Sequence, residues 1–255
     1  MKRKFWLLAA SVLMIFVLAA CGSDKDNESK EDTNATGEET SNEDVASADE
    51  VTIEHELGTT TIAKNPETVV VFDYGALETL DKLGVEVAGV PQDNLPSYLE
   101  KYNSDDYTNV GTLKEPDFEA INAMDPDVIL ISGRQSELYE DLNDIAPTIF
   151  VGLDTTNYME SFKTNMGILA KLFDKEAEME EELAAIQESI DALNEKASGL
   201  EGKGLIVLTN GGKISAYGTG SRFGLVHDVF GVKPADEGIE SSTHGMKVSY
   251  EYILE

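Results

Sequence analysis

Short apolar runs alternate with segments of helical period through the first half of the folded chain. Val51 to Asp73 alternates and turns like a β-hairpin followed by a buried strand, Thr68 to Phe72, with Pro66 as the break between them. Tyr74 to Gly84 reads as a short helix that Gly84 stops. Val85 to Pro91 is the next strand, and Asp117 to Ser132 reads as helix, Asp-Pro turn and strand. Glu137 to Pro147 is a helix and Thr148 to Leu153 a strand. Strands alternating with helices predict a parallel sheet covered on both faces, so the fold class is α/β and residues 51–157 form a first lobe.

The pattern then changes. From Tyr158 to Lys196 there is no proline, and Gly167 is the only glycine. Apolar residues recur at threes and fours through Met159, Phe162, Met166, Leu169, Leu172 and Phe173, then Met179, Leu183, Ile186, Ile190 and Leu193. The spacing predicts one long α-helix over 158–198, roughly 55 to 60 Å from end to end. No clean heptad is sustained, which argues against a coiled coil, and a helix of that length can join two lobes. Past Gly199 to Gly204 the alternation resumes. Leu205 to Asn210 and Lys213 to Gly218 read as strands paired through a Gly211-Gly212 turn. Phe223 to Gly231 reads as a short helix, and Lys247 to Glu255 as a helix in progress at the last residue. Residues 199–255 therefore read as a second α/β lobe, truncated, with two or three strands against four in the first.

Residues 1–20 are not fold. Lys2, Arg3 and Lys4 precede an apolar run, Phe5 to Val17, that is too short for a comfortable bilayer span, and small residues follow it. That is a signal peptide. The single cysteine of the chain, Cys21, closes the sequence Leu18-Ala19-Ala20-Cys21, which resembles a bacterial lipobox. One cysteine cannot form an internal disulfide, whereas a diacylated cysteine holds a protein stably at a membrane. A plain signal peptide or a short anchor helix is the alternative. From Ser23 to Glu50, Asp, Glu, Ser, Thr and Asn dominate, with Lys25 and Lys30 as the only bases. Residues 21–50 thus read as a lipidated cysteine followed by a disordered, self-repelling tether.

Charge narrows the partners. Asp and Glu number 49 against 19 Lys and Arg, a formal net charge of -30. So acidic a surface excludes nucleic acid. It leaves room for an anionic ligand where a few cations are gathered. In open α/β sheets ligands sit beyond the carboxyl ends of the strands. Four strand-to-helix corners qualify: Asp73-Tyr74-Gly75, Gly133-Arg134-Gln135, Gly218 to Arg222, and Ser241 to Gly245. Two carry arginine, each just ahead of a predicted helix, where unpaired N–H groups also favour anions. The competing reading pairs each arginine with one of the many carboxylates. The candidate ligand contacts are Arg134 and Arg222, with Tyr74, Gln135 and Ser221 beside them. His244 is a candidate metal ligand or hydrogen-bond donor. His227 reads as a helix-surface histidine and His55 as part of the first hairpin. The chain has no Gly-x-Ser-x-Gly, no phosphate-binding Walker loop, no His-Glu-x-x-His and no cysteine nucleophile, so nothing in it marks an enzyme.

These segments resemble the substrate-binding proteins of iron-siderophore ABC transporters. Lys64 to Pro91 is similar to the family's opening strand and helix, and Glu115 to Gln135 to its recurrent Pro-Asp-x-Ile segment. Ile131 to Gln135, Gly218 to Asp236 and Ser241 to Glu255 resemble the branch that binds ferric petrobactin and related catecholates. The resemblance implies two α/β lobes joined by a long helix, with the ligand in the cleft between them. It implies a receptor without turnover and without an intrinsic cofactor, whose ligand is an anionic ferric siderophore. It implies a monomer, lipid-anchored on the extracytoplasmic face of the cell membrane as on a Gram-positive surface, that serves ABC permease subunits. In that branch three arginines line the pocket. Arg134 and Arg222 match two, and the third belongs to a later segment. Haem or a corrinoid on the same fold is the alternative ligand; a two-lobe lipoprotein hydrolase and a sensor domain are the readings from other classes.

Overall fold

The computed structural model describes residues 49–254. The signal peptide, Cys21 and nearly all of the acidic tether lie outside the described residues. No described helix is long and apolar enough to cross a membrane.

The chain opens with the expected hairpin, β1 (Glu50–His55) and β2 (Gly58–Ala63), antiparallel in the register Glu50 to Ala63 and His55 to Gly58. The elements of the first lobe follow as β3 (Val69–Val71), α1 (Tyr74–Lys82), β4 (Gly89–Val90), β5 (Thr108–Asn109), α2 (Phe118–Met124), β6 (Val128–Ile131), α3 (Tyr139–Asn143) and β7 (Thr148–Phe150). The sheet order is β5-β4-β3-β6-β7, every pair parallel. Alternate residues of β3 and β6 feed opposite cores. Val69, Val71, Val128 and Leu130 face α1, while Val70, Phe72, Ile129 and Ile131 face α2 and α3. That is why these strands read as continuous apolar runs rather than as alternation. The order also sets a switch point: the chain leaves β3 towards β4 on one side and reaches β6 on the other. Crevices form at such points, and the corners after β3 and β6 are the Tyr74 and Arg134 corners.

The expected single helix is two. α4 (Tyr158–Leu172) and α5 (Glu176–Ser198) are separated at Phe173 to Lys175. Asp174 takes a left-handed conformation, φ 50°, which Asp tolerates better than most residues. The break is held from outside: the backbone N–H of Asn65 donates to the Leu172 carbonyl at 2.8 Å, where a helix carbonyl would otherwise lose its partner. Lys64 and Asn65 both donate to the Asp174 carboxylate, at 2.5 and 2.7 Å. α4 belongs to the first lobe, since Met166, Ile168, Leu169 and Leu172 complete the core against α1. α5 alone is the linking element, 23 residues with only Met179, Ile190 and Ala197 buried.

The second lobe holds β8 (Ile206–Asn210), β9 (Lys213–Tyr217), α6 (Leu225–Asp228), β10 (Met246–Val248) and α7 (Tyr250–Leu254). Its sheet is antiparallel in the order β10-β9-β8. Gly211 and Gly212, at φ 55° and 76°, make the turn between β8 and β9, where two successive left-handed residues suit the strand twist. The final segment departs from the helix expected over Lys247 to Glu255. Met246–Val248 pairs with β9, and helix begins only at Tyr250. Asn194 on α5 donates to the Val229 carbonyl at 2.8 Å, which ties the far end of the linking helix to the second lobe.

Candidate ligand-binding site

At the first corner Asp73 caps α1, its carboxylate accepting from the Ala76 N–H at 2.9 Å. This places Tyr74 at the mouth of the switch point. Its hydroxyl lies 3.0 Å from the Pro91 carbonyl and 2.9 Å from that of Asp93, so it bridges the ends of β3 and β4. Burial pushes the phenol up, the Asp93 carboxylate adds to this, and the Arg134 guanidinium opposes it. Arg134 and Tyr74 are therefore electrostatic neighbours at the adjoining corners after β3 and β6.

Gln135 behaves differently from the candidate contact expected of it. It is fully buried. Its side-chain oxygen accepts from the Ser132 N–H at 3.2 Å and its amide donates to the Leu113 carbonyl. Both ends are committed to bracing the corner, which holds Arg134 outward and exposed. The helix expected behind Arg134 begins as a three-residue 3-10 turn, Ser136–Leu138, and α3 adds only five residues. α6, behind Arg222, has four. Aligned peptide dipoles over so few residues sum to little, so the attraction for anions at these corners comes from the guanidinium groups and not from helix ends.

The second-lobe corner is tightly built. The Ser221 hydroxyl donates to the Gly218 carbonyl at 2.6 Å, and the Asp228 carboxylate accepts from the Gly220 N–H at 2.7 Å. Ser221 is buried and turned into the loop, so it shapes the corner and does not face a ligand as expected. A side chain at Gly224 would come within 2.9 Å of the Gly218 carbonyl and the Ser221 nitrogen. The outcome is an exposed Arg222 lying over the Phe223 ring, 5.2 Å from guanidinium carbon to ring centroid. Phe223 in turn meets Tyr217 edge-on at 4.8 Å.

Arg222 and His244 line the same hollow of about 460 Å3, with Lys213, Ser215 and Tyr217 of β9. β10 brings His244 there. Its neighbour Gly245, at φ 72°, packs where a β-carbon would lie 2.8 Å from the Ala216 carbonyl and the Tyr217 ring. No acidic residue is among the described residues that line the hollow. Among the described residues the ion pairs all use lysine, and neither Arg134 nor Arg222 is in one. The pairing that would tie up these arginines is thus absent there. Arg134 is not part of the Arg222 hollow, so the structure groups the candidates as Tyr74 with Arg134, and Arg222 with His244. No cluster of three or more His, Cys, Asp or Glu with metal-binding geometry occurs among the described residues. His244 stands in the hollow without another His, Cys, Asp or Glu among its described lining residues.

A larger hollow, about 640 Å3, opens between α1, α4 and α5. Phe162, Met166, Leu183 and Ile186 line it, with Glu78 and Asp81, and its Lys82 is paired to Glu182 at 3.1 Å. It offers an anion no free cation, so size alone does not make it the site. One of the two remaining histidines departs from its reading and the other keeps its place in the first hairpin. His227 is buried, with Nδ1 2.7 Å from the Val232 carbonyl, and is not on a helix surface. His55 is half-buried against Tyr139. Lys213 was missed, although strand alternation from the Gly-Gly turn puts it on the face of Ser215 and Tyr217.

A parallel α/β lobe with its switch-point crevice, a linking helix and a second lobe carrying an unpaired arginine define a solute-binding protein. The chain belongs to the periplasmic binding protein family, whose sequence model matches residues 69–255. It is 48% identical over 255 residues to the petrobactin-binding protein YclQ of Bacillus subtilis, covering 98% of this chain and 76% of that one. It is 35% identical over 208 residues to the ferric-anguibactin-binding protein FatB of Vibrio anguillarum, covering 80% of this chain and 65% of that one. The crystal structure of YclQ superposes with a TM-score of 0.79 at 53% identity, over 80% of this chain and 73% of that chain. The siderophore-binding protein BauB, bound to ferric iron and two molecules of acinetobactin, gives 0.74 at 33% identity over 80% and 73% of the two chains.

Proposed function

We propose that this chain captures an anionic ferric siderophore of the catecholate type and hands it to the permease of an ABC importer. The observation that carries the reading is that Arg134 and Arg222 have no carboxylate partner among the described residues, in a protein where acid outnumbers base 49 to 19. Catecholate oxygens outnumber the charge of the iron they wrap, so the complex is an anion. A guanidinium presents a planar fork that matches paired oxygens and stays charged at any relevant pH. Arg134 is available at the first-lobe crevice. Arg222 is available in a hollow without carboxylates, stiffened by Phe223. The relatives that bind petrobactin, ferric anguibactin and the ferric acinetobactin complex support the ligand class. The work is binding and release, without turnover, by a monomer.

The direct test is titration with ferric petrobactin alongside thermal melts. Arg134→Ala and Arg222→Ala should each weaken binding at least about tenfold, since truncating one partner of a desolvated charged contact costs about 2 to 5 kcal/mol. Both should melt like the parent, because both side chains are exposed and unpaired. Parent-like binding by both variants would remove the arginines from the site. In the same reading Cys21 carries the lipid that holds the protein outside the membrane. Intact-mass analysis of the membrane-extracted protein should show acyl mass on an N-terminal Cys21, and its absence would remove the anchor.

A further inference from the structure

We propose that Lys213 is a further ligand contact, which favours ferric complexes carrying an anionic group beyond the oxygens that wrap the iron. The proposal rests on the ferric-siderophore reading above. Lys213 is the first residue of β9, held at the rim of the Arg222 hollow by the two left-handed glycines before it. Strand alternation aligns it with Ser215 and Tyr217, and all three line the hollow that Arg222 and His244 enter from their loops. Four other lysines, Lys64, Lys82, Lys101 and Lys175, are each paired to a carboxylate. Lys213 is exposed, is in none of these pairs, and shares a hollow with no described acidic residue. In a chain of net charge -30, Lys213 and Arg222 gather two positive charges at one concavity that no described acidic residue lines.

The two cations differ in chemistry, and this assigns their roles. Arg222 lies on an aromatic ring and offers a fixed fork, which suits the paired oxygens of a catecholate. Lys213 is a hydrated point charge on a flexible stem, which suits a single carboxylate that projects from the complex. Its position at the rim lets it meet such a group without approaching the iron.

The test compares ferric complexes of catechol and of 3,4-dihydroxybenzoate, which differ only by the projecting carboxylate. The parent should bind the carboxylated complex more tightly. Lys213→Ala should weaken the carboxylated complex about tenfold and reduce the salt dependence of its binding, while the plain catechol complex changes little. Lys213→Arg should restore most of the loss, and Lys196→Ala on α5 should change neither complex. Equal effects on the two complexes, or none, would overturn the assignment while leaving the arginine reading intact. If the parent binds neither complex, this assignment fails, and the titration with ferric petrobactin decides the ferric-siderophore reading separately.

Discussion

At the scale of single residues, His55 makes the first lobe sensitive to acid. The Thr60 hydroxyl gives its proton to the Thr148 carbonyl at 3.1 Å, so its oxygen accepts from His55 Nε2, also at 3.1 Å. Nδ1 is left buried without a partner. Burial lowers the imidazole below its ordinary value of 6.5, and a backbone hydrogen bond at Thr148 only partly opposes this. The folded state therefore takes up a proton at lower pH than the unfolded chain, which does so as pH falls through its ordinary value of 6.5. By linkage the stability is whole above that value and declines below it. Melting midpoints should fall from pH 7 to pH 5.5, and His55→Gln, which keeps a donor for Thr60, should show a smaller fall. Equal falls in the two proteins would clear His55 of the effect. This sensitivity was not legible in the sequence, where His55 is one polar position of a hairpin. The same limit explains Gln135 and His227. A sequence places a polar residue at a corner or in a short helix, but which way its side chain turns is decided by packing. Arg134 and Arg222 were legible as exposed corner residues because they follow β6 and β9, where the chain leaves the sheet, whereas His244 stands just ahead of β10.

At the scale of elements, the parallel strands were legible because both faces are buried and each strand reads as an unbroken apolar run. β5 was not, since a two-residue edge strand with both residues exposed leaves no apolar signal. β10 was lost in a mixed stretch that precedes true helix. The division of α4 from α5 was hidden for a different reason: the apolar period runs through Phe173 undisturbed, and the stop comes from contacts more than a hundred residues away in sequence. Donation from Lys64, and then from Asn65, holds the Asp174 carboxyl below its usual range. Asp174→Ala removes these contacts and puts alanine where φ is 50°, so the melting midpoint should drop by roughly 2 to 4 °C. Asp174→Gly relieves the backbone and loses only the clasp, so it should drop less. Calorimetry checks both, and an unchanged Asp174→Ala protein would mean that α4 and α5 can continue into one another at no cost.

At the scale of the whole molecule, class and ligand were legible through the resemblance of whole segments to the siderophore-binding family, while charge set against position gave only the two arginines at strand ends as candidate anion contacts. That a helix joins the lobes was legible too, but not that the joining helix is α5 alone, which begins only after the break at Asp174. α5 starts at the Asp174 clasp and ends where Asn194 grips the Val229 carbonyl, shortly after Arg222 in the chain. From Glu176 to Asn194 it is a lever arm of about 27 Å. A rotation of about 5° at the clasp swings its far end by about 2 Å over that length. A hydrogen bond is made or lost within less than that. A substitution at Lys64, Asn65 or Asp174, three residues that line neither arginine's surroundings, is therefore expected to change the range over which Arg222 is aimed and not its contacts.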